Sequence, residues 1–114
     1  MRYALLVCND ESVEVSGVEQ SVRFDAYNAF AGSMLARGVV RDEGLRLRPT
    51  VTATTVRVRN GDVVIADGPF AETKEQIGGL YVVDCQDLDE AIEVASQIPG
   101  AQWGSIEVRP VWER

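Results

Sequence analysis

The sequence contains no histidine. That absence removes the commonest general base, the commonest metal ligand and the usual partner of a nucleophilic serine or cysteine. Cysteine is scarce as well. Cys8 and Cys85 stand alone, without the C-x-x-C spacing of a zinc site and with too few partners for the disulfide framework of a small secreted domain. Each closes an expected strand, which predicts two buried, reduced thiols held apart at opposite edges of a sheet. Long apolar runs are missing too. Stretches such as "YALLVC" fall far below the roughly 20 residues that span a bilayer, and the start has no basic segment leading into a long apolar one. The expectation is a cytoplasmic protein with no membrane partner. Positive charge is in deficit, with 11 Lys and Arg against 18 Asp and Glu and a net charge of -7. Affinity for a phosphate backbone comes from clustered cations, so nucleic acid is not an expected partner. No G-x-G-x-x-G and no P-loop occur, and no cofactor or metal is expected.

What is present is the balance of an ordinary globular chain, 46% apolar and 25% charged. At 114 residues it predicts one domain, residues 1–114, with one core. "MRYALLVC" is apolar at alternate and intervening positions alike, the pattern of a central strand covered on both faces. Ser16 and Glu19 form a helix-start signature. Val18, Val22, Tyr27, Phe30, Ala31, Met34 and Leu35 then recur at helical spacing up to a stop at Gly38, and the stripe reads as core.

"GLRLRP" predicts a short strand ended or pushed to an edge by Pro49. In "TTVRVRNGDVVIAD" the Asn60-Gly61 pair is the preferred two-residue hairpin turn. It fixes a register in which Arg59 opposes Asp62, Val58 opposes Val63, Arg57 opposes Val64 and Val56 opposes Ile65. "GLYVVDC" is a further strand, and Asp87 caps a second helix whose Leu88, Ala91, Ile92 and Ala95 share a side. In "SIEVRPV" Ile106 and Val108 point one way, Glu107 and Arg109 the other. The order β α β β β β α β is that of an α+β, ferredoxin-like sandwich with an added hairpin strand.

"DGPFAETKEQIGGLYVVDCQDLDEAIEVASQIP" followed by "GSIEVRPV" resembles the DGPF group of the YCII-related domain family, and the likeness extends back through "TATTVRVRNGDVVIADGPF" to the first strand. The resemblance implies a dimeric α/β barrel in which two ferredoxin-like sheets enclose a cleft. It also implies an association with extracytoplasmic-function sigma factors, and it names no reaction. A His–Asp dyad proposed for members nearer the founding protein has no counterpart in a chain without histidine.

With two helices on one face of the sheet, the aliphatic sides of the hairpin and of the last strand should lie beneath them, and the other face should be left for a second copy. Arg57, Glu107 and Arg109 then face the cleft of a homodimer. Such charges either bridge one another at the interface or hold a ligand, a small anionic molecule gripped by Arg57 and Arg109. Asp67-Gly68-Pro69-Phe70 reads as a turn on its own. Glu72, Lys74 and Glu75 fall at the same end of the sheet, where two carboxylates beside a lysine can share a proton. Asp67 and Glu107 are therefore the candidate acid and base, and Arg57, Arg109, Lys74 and Glu72 the candidate ligand-binding residues. Gly78-Gly79 lets backbone approach closely, which fits a β-bulge or a ligand contact. Trp103 and Trp112 read as subunit-contact anchors, and Tyr3, Tyr27 and Tyr81 as core. Two functions remain open: a small-molecule binder with or without cofactor-free lyase, isomerase or proton-transfer chemistry, and a non-catalytic regulatory or interaction module.

Overall fold

A computed structural model describes residues 1–40 and 44–113. Strand β1 spans Arg2–Asn9, helix α1 Gly17–Arg37, β2 Leu45–Arg46, β3 Thr54–Arg59, β4 Asp62–Asp67, β5 Gln76–Asp84, helix α2 Leu88–Gln97 and β6 Ser105–Pro110. Strands β2, β5, β1 and β6 form one antiparallel sheet in that order, the ferredoxin-like arrangement, and β3 and β4 form a separate two-stranded sheet. The hairpin thus contributes two strands rather than one, and neither joins the main sheet.

β1 is central because it is apolar on both sides. Tyr3, Leu5 and Val7 are buried under the helices, while Ala4, Leu6 and Cys8 are half-covered on the opposite face. The core is completed by Phe30 and Met34 of α1, Val83 of β5, and Ala91, Val94, Ala95 and Ile98 on or beside α2. Burying side chains of this size stabilises the fold by about 1.5–3 kcal/mol each.

Both helices begin as the sequence predicts. Ser16 Oγ accepts from the Glu19 amide at 3.1 Å, and Asp87 Oδ1 accepts from the Glu90 amide at 2.9 Å. Gly38 ends α1 at φ 74°, its amide bonded to the Met34 and Leu35 carbonyls. The buried stripe of α1 is narrower than the apolar spacing suggests, since Val18, Val22 and Leu35 are largely exposed. Tyr27 and Trp103 account for part of that difference. Their rings meet edge to face at 6.4 Å, and the Arg23 guanidinium covers Trp103 at 3.9 Å, so a polar and aromatic cluster occupies one end of the helix–sheet seam. Trp103 is therefore an intrachain contact, whereas Trp112 is 94% exposed.

The hairpin has the expected register, from Arg59 opposite Asp62 to Thr54 opposite Asp67, with Asn60 and Gly61 both at positive φ. Its position is not the expected one. Val56, Val58, Val63 and Ile65 are 60–66% exposed rather than lodged under the helices. β5 and β6 flank β1 and β2 pairs with β5, and the hairpin strands pair only with each other, as a two-stranded sheet apart from the four strands under the helices. The molecule is consequently flat and extended, 48 × 44 × 20 Å with a radius of gyration of 16.1 Å. A compact chain of this length would have about 13 Å.

Candidate functional site

The register of the four-stranded sheet defines what its uncovered face carries. One row reads Leu45, Leu80, Leu6 and Glu107 across β2, β5, β1 and β6, and the next reads Val82, Ala4 and Arg109. Glu107 and Arg109 thus sit at one side of an apolar surface, as their alternation with Ile106 and Val108 requires. Arg109 Nε lies 3.7 Å from Glu107 Oε2, and both side chains are exposed. Further along the same face a bulge at Gly78 shifts the pairing, so that Val7 faces Gly79 and Cys8 faces Ile77. Cys8 pairs on its other side with Ser105, whose hydroxyl donates to Glu75 Oε1 at 2.9 Å. Burial, helped by the negative charges of Glu107 and Glu75, pushes the Cys8 thiol above its ordinary range. A nucleophilic role for it is disfavoured by that environment.

The "DGPF" turn lies where the hairpin leaves the sheet. Gly68 adopts φ 92°, a conformation open to glycine and strained for other residues, and its amide donates to the Ala53 carbonyl at 2.8 Å. Its carbonyl accepts from the Thr55 hydroxyl at 2.8 Å. These bonds tie both ends of the hairpin together. Pro69 then turns the chain away and leaves Phe70 77% exposed, with the Arg57 guanidinium 5.1 Å from the centre of its ring.

Beside this turn is an open hollow of about 620 Å³, lined by Thr50, Asp67, Gly68, Glu72, Lys74 and Gln76 among others. Three of the residues singled out by sequence, Asp67, Glu72 and Lys74, meet here. Glu75, though adjacent to Lys74, faces Ser105 instead. Glu11 closes the neighbouring loop by accepting from the Thr50 amide and hydroxyl, the latter at 2.6 Å. Next to it, bonds from the Ser12 hydroxyl and amide, with Lys74 nearby, hold the Asp10 carboxyl below its usual range. Thr50, Gln76 and Glu11 were not legible as site residues. Glu11 and Thr50 are separated by 39 residues, and no local pattern links them.

The sequence candidates therefore fall into three places: Asp67, Glu72 and Lys74 in the hollow, Glu107 and Arg109 on the open sheet face, and Arg57 on the separate hairpin. The tyrosines are structural. Tyr3 is buried, Tyr81 packs edge to face on Phe30, and the Tyr27 hydroxyl accepts from the Gly100 amide at 3.1 Å. Burial raises both Tyr27 and Tyr81 above the ordinary phenol value. Cys85 and Cys8 are free, at opposite ends of the β1–β5 ladder.

These features define a class: an α+β fold of ferredoxin-like topology, with helices on one face of the sheet and a charged pair on the other. The sequence profile of the YCII-related domain matches residues 1–114. The chain belongs to the YCII-related domain family. It is also similar to an uncharacterised protein of Rhizobium meliloti (strain 1021), 41% identical over 115 residues that cover 97% of this chain and 92% of the relative. Among the described residues, no helix is long and apolar enough to cross a membrane.

Proposed function

We propose that two copies pair through the open faces of their sheets to form a dimeric α/β barrel, and that the enclosed surface binds a small anionic molecule. The observation that carries this reading is the one-sided sheet, whose uncovered face presents Leu45, Leu80, Leu6, Val82 and Ala4 beside Glu107 and Arg109. Covering such a face removes apolar surface from water, and any charge enclosed with it must be paired or hold a ligand. The 3.7 Å contact between Arg109 and Glu107 is longer than a hydrogen bond. The guanidinium therefore keeps donors for a carboxylate or phosphate. Arg57 supplies the second cation in this reading, with Glu72 and Lys74 lining the adjoining hollow. Asp67 and Glu107 orient the cations or serve as acid and base, and the chemistry open to them is proton transfer or a cofactor-free lyase or isomerase step.

The experiment is a thermal-shift series with small carboxylates and phosphates on the native protein and on Arg109→Met. A ligand at a hundred times its Kd adds about 2.7 kcal/mol to the native state. The expected result is a melting temperature raised by one class of anion in the native protein and unmoved in the variant. A second reading, a non-catalytic interaction module in the cytoplasm with an extracytoplasmic-function sigma factor as partner, is favoured by the exposed aliphatic face of the hairpin. Stoichiometric capture of that factor, with no anion stabilising the protein, would decide for it.

A further inference from the structure

Two of the strand edges that have no partner among the described residues match each other. The first is the outer edge of β6. Val111 donates its amide to the Arg2 carbonyl at 3.0 Å, and alternation along an antiparallel strand then turns the backbone of Arg109 and Glu107 toward β1. The amides and carbonyls of Ile106 and Val108 point outward. Beside them runs an open groove of about 290 Å³, lined by Ile92 and Ala95 of α2 and by Ile106 and Val108 themselves.

The second edge belongs to the hairpin. Its strands are six residues long, as β6 is, and neither outer side is paired among the described residues. A two-residue turn makes Arg59 and Asp62 the first bonded pair, so Val63 and Ile65 on one strand, and Val56 and Val58 on the other, turn their backbone groups outward. An isolated hairpin with no packed face is marginal in water. Each of these four side chains is 60–66% exposed, on the order of 100 Å² of apolar surface apiece.

We propose that the hairpin of one copy adds to the β6 edge of a second copy, and reciprocally, with its aliphatic face in the partner's α2–β6 groove. This rests on the dimer of the preceding section and adds a contact to it. The backbone parity permits the pairing: the outward-facing residues of both edges are the aliphatic ones, so bonding Ile106 and Val108 to the hairpin places aliphatic side chains opposite aliphatic side chains. The opposite parity would have set valines against Glu107 and Arg109. A second copy is the occupant because one reciprocal contact closes both edges at once, as a two-fold interface requires. A foreign peptide on β6 would leave the hairpin bare. The two arms and two grooves together reach roughly the 1,000 Å² expected of a specific interface. The polar side of the partner's hairpin then extends the open face, and the partner's Arg57 joins the surface that carries Glu107 and Arg109.

Two variants test this. Ile65→Lys alters a side chain that is exposed in the single chain. Val108→Pro removes an outward amide without touching the β1 ladder, in a strand that already accommodates Pro110 at the equivalent parity. Sedimentation velocity at micromolar concentration and amide hydrogen exchange are the readouts. The expected result is a native protein of two chains with slowly exchanging Ile106 and Val108 amides, and an Ile65→Lys protein in which those amides exchange at least tenfold faster or the sedimenting mass halves. If Val108→Pro fails to fold, Ile65→Lys decides alone. A native dimer whose mass and amide protection survive Ile65→Lys overturns the arm exchange and leaves the face-to-face dimer standing. A native monomer overturns both.

Discussion

Replacing Gly104 by alanine tests whether the end of the sheet beside the candidate site is as tightly built as described. Gly104 precedes β6, and a methyl group there would run into the Cys8 carbonyl oxygen, with the Cys8 carbonyl carbon 3.2 Å and the Asn9 Cα 3.3 Å away. All three atoms are backbone of the central strand. They cannot rotate aside as a side chain can, so relief requires β6 to move away from β1 at the pair that joins Cys8 to Ser105. Forced shifts of this kind cost about 1–3 kcal/mol, and a collision with backbone belongs at the upper end. Unfolding entropy near 2.1 cal/mol/K per residue converts each kcal/mol into about 4 °C for a chain of this length, which gives a fall of about 8–12 °C in Tm. The matched control is Gly32→Ala, on α1 with nothing within 4 Å of the new methyl, which gains about 0.5–1 kcal/mol from reduced backbone freedom. Calorimetry of the three proteins at one concentration is the assay. An unchanged Tm for Gly104→Ala, with the expected rise for Gly32→Ala, would refute the close approach and with it the placement of Ser105 against Glu75.

Gly68→Ala strains a backbone at φ 92° by about 1–2 kcal/mol, yet the hairpin can open without the core. Faster exchange of β3 and β4 amides is therefore expected with little change in Tm, and a Tm loss as large as that of Gly104→Ala would count against an independent hairpin. Met34→Ala leaves a hole in a fully buried site and should cost 2–5 kcal/mol; a denaturant midpoint within error of the native one would refute its core role. Burial beside Glu90 pushes the Cys85 thiol from 9.0 to about 11. The folded state holds that proton where the unfolded state releases it, so stability is full below pH 9 and declines toward pH 11, by about 2–3 kcal/mol from this group. Cys85→Ala should flatten that alkaline decline, and an identical pH profile would show that other groups govern it. Asp67→Asn is a near-isosteric change at an exposed side chain, so it should fold with a stability change of no more than about 1 kcal/mol and weaken binding of a cleft anion tenfold or more. Unchanged affinity would leave "DGPF" a turn and nothing else.

The strands and caps were legible because their causes are local. Asn60-Gly61 dictates its own turn and the register of twelve residues around it, and Ser16, Gly38 and Asp87 act within one helical turn. The glycine pair at 78 and 79 reads as a bulge or a ligand contact, and the structure has the bulge: Gly78 marks the shift in register, and a methyl on Gly79 would meet the Leu45 carbonyl oxygen at 2.8 Å. Alternation could not say where the hairpin goes. An aliphatic face in sequence marks a surface that wants cover, and β2, rather than β3 or β4, holds the place beyond β5. The same limit applies to α1, where Val18 and Val22 have helical spacing but lie outside the seam. Of the site, the meeting of Asp67, Glu72 and Lys74 follows from their nearness along the chain. The contributions of Thr50 and Glu11 depend on how separate loops cross, which no spacing records.

The central position of β1 has a consequence for how the chain is made. Synthesis delivers Arg2–Asn9 well before its two neighbours, Gln76–Asp84 and Ser105–Pro110. Until those neighbours emerge this apolar strand has no edge to bond, and α1 has no floor to pack on. Productive collapse must wait until β5 has left the ribosome, and the sheet cannot close until β6 has followed. Such distant pairings carry a large loop-closure cost and slow folding. The exposed "YALLV" segment is the part of the nascent chain that a chaperone would be expected to hold, and the part through which truncated chains would aggregate.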